Sequence, residues 1–448
     1  MRTHLLVFFL LGTCFCYSQS NVSFNGSVEA SGYVSTNDSL PLWMYTNTSG
    51  KVGRVSAIAG LLEGEAIYSL TENSEILAGG AFYYRDNVAD EFQRKNLYLQ
   101  FRNSWLDITA GAKEFPEVAQ GLSAINKNYL WTRNARPLPG IRIASAAPLK
   151  ISRTFSVDAG IAHYELNDDR ITRNTRLHYK HFALITNFNE NHSFTAKIQH
   201  FAQWAGTSPD FGTLKNDFSA FVDVFTARES PEIGVDGEIY NAVGNHLGTY
   251  LFDYKFSTSF ASTSIYHEHP FEDGSGTGFS NFPDGVWGIY VQPKKNTFIS
   301  GIVYEFITTK DQSGATGGSG FDNYFNNSVY RSGWTYEGAM IGLPFMITAP
   351  RGELNEDRVT FISNSLSMHH VAVAGVYNKF AWKVKSSFVK NFGRLVSPFA
   401  ETLTTTHHSL EITYPTQKLG TFTLLTGFDS SSSSDAIFGA GVQYAYRF

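Results

Sequence analysis

Apolar residues recur at every second position along most of this chain, in segments of about ten residues bounded by polar turns. Ala57 to Leu70 alternates, stops at Thr71–Glu72–Asn73–Ser74, and resumes from Ile76 to Tyr84. Leu97, Leu99 and Phe101 alternate before Arg102–Asn103–Ser104, and Leu106, Ile108 and Ala110 after it. Phe182 to Phe188 and Phe194 to Ile198 flank Asn189–Glu190–Asn191–His192 in the same way. Further tight turns fall at Ser257–Thr258–Ser259, Lys294–Lys295–Asn296, Asn378–Lys379 and Thr416 to Gly420. A period of two places one apolar and one polar face on each strand. The last strand shows it clearly: Val442, Tyr444, Tyr446 and Phe448 share one face, Gln443 and Arg447 the other.

Between these hairpins the connections are long, at 36–54, 113–139, 205–244, 273–284 and 311–358. Short turns at one end and long loops at the other are the asymmetry of an outer-membrane barrel, whose strands face lipid outside and a polar lumen inside. Counting from Val22 to Phe448 gives about 18 strands, an even number, as such barrels require. The expected fold is therefore all-β: a transmembrane antiparallel β-barrel with long extracellular loops. Val442, Tyr444, Tyr446 and Phe448 are expected to face lipid, with Gln443 and Arg447 turned inward. Any one segment also fits an edge strand of a soluble β-protein; the series of them does not. Phe218, Phe221, Val222 and Phe225 recur at helical spacing and predict a short amphipathic helix inside the 205–244 loop. A strand through Phe218, Ala220, Val222 and Val224 is the alternative.

The N-terminus adds an address. Arg2 and His4 precede an apolar run from Leu5 to Phe15, and small residues follow at Cys16 and Ser18. Residues 1–18 read as a secretory signal peptide cut after Ser18, and 19–448 as one barrel domain. Acylation at Cys14 fits less well, because Gly12 and Thr13 are poor residues before a lipidated cysteine. Both cysteines, Cys14 and Cys16, fall in the removed segment, so the remaining chain has neither disulfide nor thiolate metal site. Aromatic residues make up 15% of the chain while its mean hydropathy is slightly negative, as alternating strands with aromatic girdles require. Without Arg2, 34 Lys and Arg face 40 Asp and Glu, a net charge of −6, with no basic stripe for nucleic acid.

Catalytic signatures are absent: there is no nucleophile elbow, no phosphate loop leading into a helix, and no paired-histidine zinc helix. Gly317–Gly318–Ser319–Gly320 reads as flexible punctuation. His267 and His269 flank Glu268, with further pairs at His369–His370 and His407–His408. Two imidazoles at i and i+2 with a carboxylate can hold a divalent ion or simply line a wet lumen, so no metal and no catalytic residue is assigned. The loops are rich in aromatic and amide groups. Trp204, Tyr324, Trp334 and Tyr336 could stack on sugar rings, while Asn245, Asp322, Asn323 and Arg331 could bond hydroxyls or supply charge. The same aromatics could equally form a plug closing the barrel mouth, and both roles can hold at once.

Several loop segments with their flanking strands carry a family resemblance. They are NARPLPGIRI (134–143), QHFAQWAGTSPDFG (199–212), NAVGNHLGTY (241–250), YHEHPFEDGSG with FPDGVWGIY (266–290), and GGSGFDNYFNNSVYRSGWTYEGAMIGLPF (317–345). In order, across most of the chain from about residue 30, they resemble the capsule-assembly Wzi family. The resemblance implies an 18-stranded outer-membrane barrel of a Gram-negative bacterium that anchors surface polysaccharide in a lectin-like, non-enzymatic manner. Its partners would be that polysaccharide, outer-membrane lipid and, during biogenesis, the barrel-assembly machinery; no cofactor is implied, and a monomer is expected. Members vary most in the surface loops, so no single binding residue carries over. The alternatives are a channel for small solutes and a barrel-embedded hydrolase using His267, Glu268 or His369.

Overall fold

The computed structural model describes residues 21–228, 243–272, 274–295, 298–313, 322–350 and 360–448. The expected signal peptide and the Gly317–Gly320 run lie outside the described residues. Eighteen antiparallel strands form one closed wall. The first nine are β1 (Val22–Ser35), β2 (Ile58–Thr71), β3 (Ser74–Arg85), β4 (Phe92–Asn103), β5 (Leu106–Ala112), β6 (Gly140–Ser145), β7 (Phe155–Leu166), β8 (Thr175–Asn189) and β9 (His192–Trp204). The others are β10 (Asn245–Ser257), β11 (Ala261–Phe271), β12 (Gly285–Pro293), β13 (Ile299–Thr308), β14 (Ser365–Tyr377), β15 (Phe380–Arg394), β16 (Ser397–Pro415), β17 (Thr421–Ser431) and β18 (Ile437–Arg447). A two-residue strand, Leu149–Lys150, pairs with β7 beside β6. Closure comes from β18 on β1, with Ser27 opposite Arg447 and Ser35 opposite Gly439. The Phe448 and Gly26 backbones then exchange two bonds, of 2.9 and 3.0 Å, so no sheet edge is left.

The expected turns fall at one end of this wall, at 71–74, 103–106, 189–192 and 377–380 among others. At the opposite end lie the five long connections, now 36–57, 113–139, 205–244, 272–284 and 309–364. No described helix is long and apolar enough to cross a membrane; the crossing is made by strands. The outer face is apolar through Leu62, Leu99, Ile143, Leu184, Ile265, Val371 and Leu424. Trp105, Phe188, Phe260, Phe298 and Tyr377 ring it at the turn end, and Tyr84, Phe92, Phe282 and Trp287 at the loop end, the two girdles of a lipid-embedded barrel. Val442, Tyr446 and Phe448 are exposed on that outer face, and Gln443 lies inward opposite Ser31. Arg447 sits at the short-turn rim, opposite Ser27.

The helix predicted in the 205–244 loop spans Phe218–Thr226, and Asp217 caps it by accepting from the Ala220 N–H at 2.8 Å. It packs against the outside of the wall. On β8, Leu177 and Tyr179 point into the lumen, so Arg176, His178 and Lys180 point out, directly above exposed Phe182 and Leu184. The helix lies over these three. Phe221 and Phe225 pack on the His178 ring at 5.4 and 5.5 Å. Lys180 donates to the Phe225 carbonyl, where the helix dipole favours a cation. Arg176 donates to the Asn216 carbonyl at 3.3 Å and lies over the Trp204 ring. Trp204 and Ala202, outward on β9, pack beneath Ala220 and Val224. The sequence-level ambiguity thus resolves to a helix, with a clear physical reason: cations and imidazoles on the outer wall would otherwise meet lipid.

Candidate functional site

Three loops fold into the lumen and close it. Trp43 from 36–57, Ile125, Tyr129 and Leu130 from 113–139, and Tyr324, Phe325, Trp334, Tyr336, Leu343 and Phe361 from 309–364 form one apolar cluster. That cluster also takes inward side chains from every strand between β7 and β15, among them Leu166, Leu177, Phe201, Leu247, Val286, Ile307, Met368 and Val389. Each large side chain so buried contributes roughly 1.5–3 kcal/mol.

Wall carboxylates fasten the plug by its backbone. Glu305 accepts from the Ala124 N–H (2.7 Å), the Ser123 hydroxyl (2.6 Å) and the Tyr266 hydroxyl (2.6 Å). Glu268 accepts from the Tyr129 N–H (2.8 Å), Thr249 (2.9 Å) and Gln199 (3.0 Å). Asp284, at the end of the 272–284 loop, takes the N–H groups of Lys310, Asp311 and Gln312 and the Tyr324 hydroxyl. Burial pushes the Asp284 carboxyl up, and those donors work against that shift by favouring its charged form. Lys127 reaches Asp253 at 3.0 Å and Ser264 at 2.8 Å. Charge-assisted bonds of this kind do the fastening that disulfides would do elsewhere.

Most of the residues singled out from the sequence as sugar contacts are held within this interior, and Trp204 is not. Trp334 is fully buried, and its indole N–H donates to the Leu130 carbonyl at 2.6 Å. Tyr336 donates to Asn167 at 2.7 Å beneath the Arg136 guanidinium. Tyr324 lies between Asn281 (2.6 Å) and Asp284 (3.1 Å). Asn245 donates to Gln203 at 2.9 Å, Asp322 accepts from Ser313 at 3.3 Å, and Asn323 accepts from Asn364 at 2.9 Å. Arg331 pairs with Asp210 at 2.8 Å, and Trp204 lies under the outer helix. The ring faces of Trp204, Tyr324, Trp334 and Tyr336 are covered by protein. In this structure Tyr324, Trp334 and Tyr336 pack within the plug, and Trp204 packs outside the wall beneath the helix.

The histidine cluster separates for a geometric reason. His267 and His269 do share a face of β11, but it is the outer one, where His267 stacks on Trp287 at 3.7 Å and His269 on Phe279 at 4.5 Å. Glu268, between them, points into the barrel, as strand alternation demands. His369 meets Tyr304 outside at 2.9 Å, whereas His370 is buried inside against Ser387 and the Leu122 carbonyl. Among the described residues, no three His, Cys, Asp or Glu side chains come together to hold a metal. The hydrolase alternative has no converging His267, Glu268 and His369 to work with.

The plug leaves open space on both sides. At the long-loop mouth a cavity of about 770 Å³ is bounded by Tyr45, Arg54, Glu337, His407, Asp429 and Ser431. Asp429 lies 3.0 Å from the His407 ring and accepts from the Leu42 N–H at 2.8 Å, which ties the 36–57 loop to β17. Tyr45 stands between Arg54 and Asp429; burial, less the pull of Arg54, pushes its hydroxyl up to about 12, so it remains a donor at neutral pH. Ser430 to Ser434 and Asp435 form the rim. Only His407 of this group was singled out in the sequence. The run of serines ahead of Asp435 was the available signal for the rest. On the short-turn side two adjoining lobes measure about 730 and 640 Å³.

The sequence matches no protein-family model, and no curated protein matches it at a significant level. The fold has solved counterparts. The chain is similar to Wzi from Escherichia coli, described as an outer-membrane protein involved in group 1 capsule assembly and as a carbohydrate-binding β-barrel. That likeness has a TM-score of 0.59 and 13% identity over 93% of this chain and 83% of that one. Pseudomonas aeruginosa OpdL aligns over 96% of this chain and 99% of its own at TM-score 0.52 and 8% identity. OprD of the same organism aligns over 96% and 95% at TM-score 0.50 and 8% identity. At such identities the likeness shows the fold, and the fold is that of the outer-membrane β-barrels of Gram-negative bacteria.

Proposed function

We propose that this protein is a non-enzymatic outer-membrane barrel that binds exported polysaccharide at the cell surface, its long loops facing outward. The observation that carries the reading is the continuous apolar plug beneath an open polar mouth. A polymer held at the mouth has no need to pass through the wall. The mouth offers a tyrosine hydroxyl, a guanidinium, a carboxylate–imidazole pair and a row of serine hydroxyls, the groups that bond sugar hydroxyls and acidic substituents. The likeness to a carbohydrate-binding barrel supports the same reading.

Replacing Arg54 with Ala and Tyr45 with Phe together should lower surface-retained polysaccharide by about tenfold, the worth of one or two hydrogen bonds. Capsule staining and glycan pull-down measure this, with heat-modifiable gel mobility reporting that the barrel is folded. Retention equal to wild type would remove the mouth from the proposal.

A second reading, a channel for small solutes, is favoured by the chambers on either side of the plug, which the plug separates among the described residues. Planar-bilayer recording separates the two readings. The polysaccharide-binding reading expects no steady single-channel current, and the channel reading expects one.

A further inference from the structure

We infer that the lumen on the short-turn side of the plug is a second binding site, for a short saccharide bearing carboxylate groups. Its two lobes adjoin at Phe115, Pro116 and Arg142 and are closed above by the plug, so the space is a dead end entered from the short-turn rim. Their volumes, about 730 and 640 Å³, lie within the ~300–1,000 Å³ of small-molecule sites.

The charge in the larger lobe is unbalanced. Lys127, Arg142, Lys197 and Lys255 line it against Asp158 and Glu190. Lys127 is committed to Asp253 at 3.0 Å, Lys255 lies 3.8 Å from the same carboxylate, and Asp158 is held by Ser145 and by His181 at 3.2 Å. That leaves two cations. Lys197, inward on β9 and half-buried, makes no direct hydrogen bond or ion pair among the described residues, the Glu268 and Asp158 carboxylates acting on it only from a distance. Arg142, inward on β6, approaches Asp107 at 3.6 Å through one terminal nitrogen, and its buried Nε–H has no acceptor. A partly desolvated ammonium and an under-used guanidinium fork facing one chamber favour an anion, and a planar carboxylate fits the fork.

The neutral lining points to a sugar as the carrier of that carboxylate. Phe115 and Trp131 present ring surface to the chamber, and Asn187, Asn189, Asn191 and Gln292 present planar amides. Rings pack on the C–H faces of a pyranose while amides bond its hydroxyls. This site lies on the other side of the plug from the mouth and stands or falls apart from the polysaccharide reading given above.

The test is calorimetric titration of the full chain in detergent with trigalacturonate, its neutral methyl ester, and inorganic phosphate. Trigalacturonate should bind, and Lys197→Gln or Arg142→Gln should each weaken it at least about tenfold, while Lys418→Gln, an exposed turn lysine outside the chamber, leaves it unchanged. The methyl ester should bind at least as poorly as trigalacturonate does to those variants. Folding of each variant is checked by heat-modifiable mobility. Wild-type affinity in a folded Lys197→Gln, Arg142→Gln double variant would overturn the site. Equal binding of ester and acid would overturn the charge assignment. Phosphate binding as tight as trigalacturonate would reduce the site to an anion site and overturn the saccharide.

Discussion

Trp334→Ala is expected to destabilise the plug by about 3–5 kcal/mol, the usual loss when a fully buried tryptophan is truncated. The indole packs edge-on against Phe201 at 5.3 Å and supplies the bond to the Leu130 carbonyl, so the change leaves both a cavity and an unpaired buried acceptor. The effect should be local. The barrel should keep its folded mobility, because the closed hydrogen-bonded wall does not depend on the indole. Amide hydrogen exchange over Ser123–Thr132 should rise by two or more orders of magnitude, as ~3 kcal/mol requires. Unchanged exchange in that segment would mean that Trp334 is not a keystone of the plug. The residue that in sequence suggested a sugar platform is thus expected to reveal itself first through stability.

Glu305→Ala should turn a silent barrel into a conducting one. The carboxylate holds the Ser123 hydroxyl, the Ala124 N–H and the Tyr266 hydroxyl within 2.7 Å, all of them buried. Removing it strands three donors, and breaking such a buried polar arrangement costs about 3–5 kcal/mol even after the relief of the carboxylate's own desolvation. The segment it holds, around Ser123–Ile125, is tied to β13 through this carboxylate, and its release is expected to open a path between the mouth and the short-turn chambers. Glu305→Gln is the informative companion. It keeps one acceptor but turns an amide N–H₂ toward a second donor, so an intermediate conductance is expected. Planar-bilayer recordings in which Glu305→Ala stays as silent as wild type would show that the plug is held without this residue.

The wall was legible because its signal is local. A two-residue period needs only neighbours in sequence, so β8, β9 and β18 could be placed within a few residues, and the turns between hairpins likewise. The plug was not, because its contacts join distant segments: Trp334 to Leu130, Tyr129 to Glu268, Ala124 to Glu305. An aromatic, amide-rich loop reads the same whether its rings face water or one another, and only the fold decides. The helix shows the divide within a single element. Its spacing revealed Phe218–Thr226, but nothing in that spacing says which side of the wall it covers. Histidine spacing was legible only in part: His267 and His269 share a face as their two-residue spacing requires, but the spacing does not say that this face is the outer one.

That outer helix gives the barrel a heading in the plane of the membrane. A wall with a uniform girdle presents the same profile in every azimuth, and lipids or proteins approaching from any compass direction meet the same surface. Here nine residues of protein replace lipid over β7 to β9, with Phe218 and Val222 turned outward. Rotation about the membrane normal therefore changes what a neighbour encounters, and lateral crowding in the bilayer can sort these molecules by orientation as well as by position.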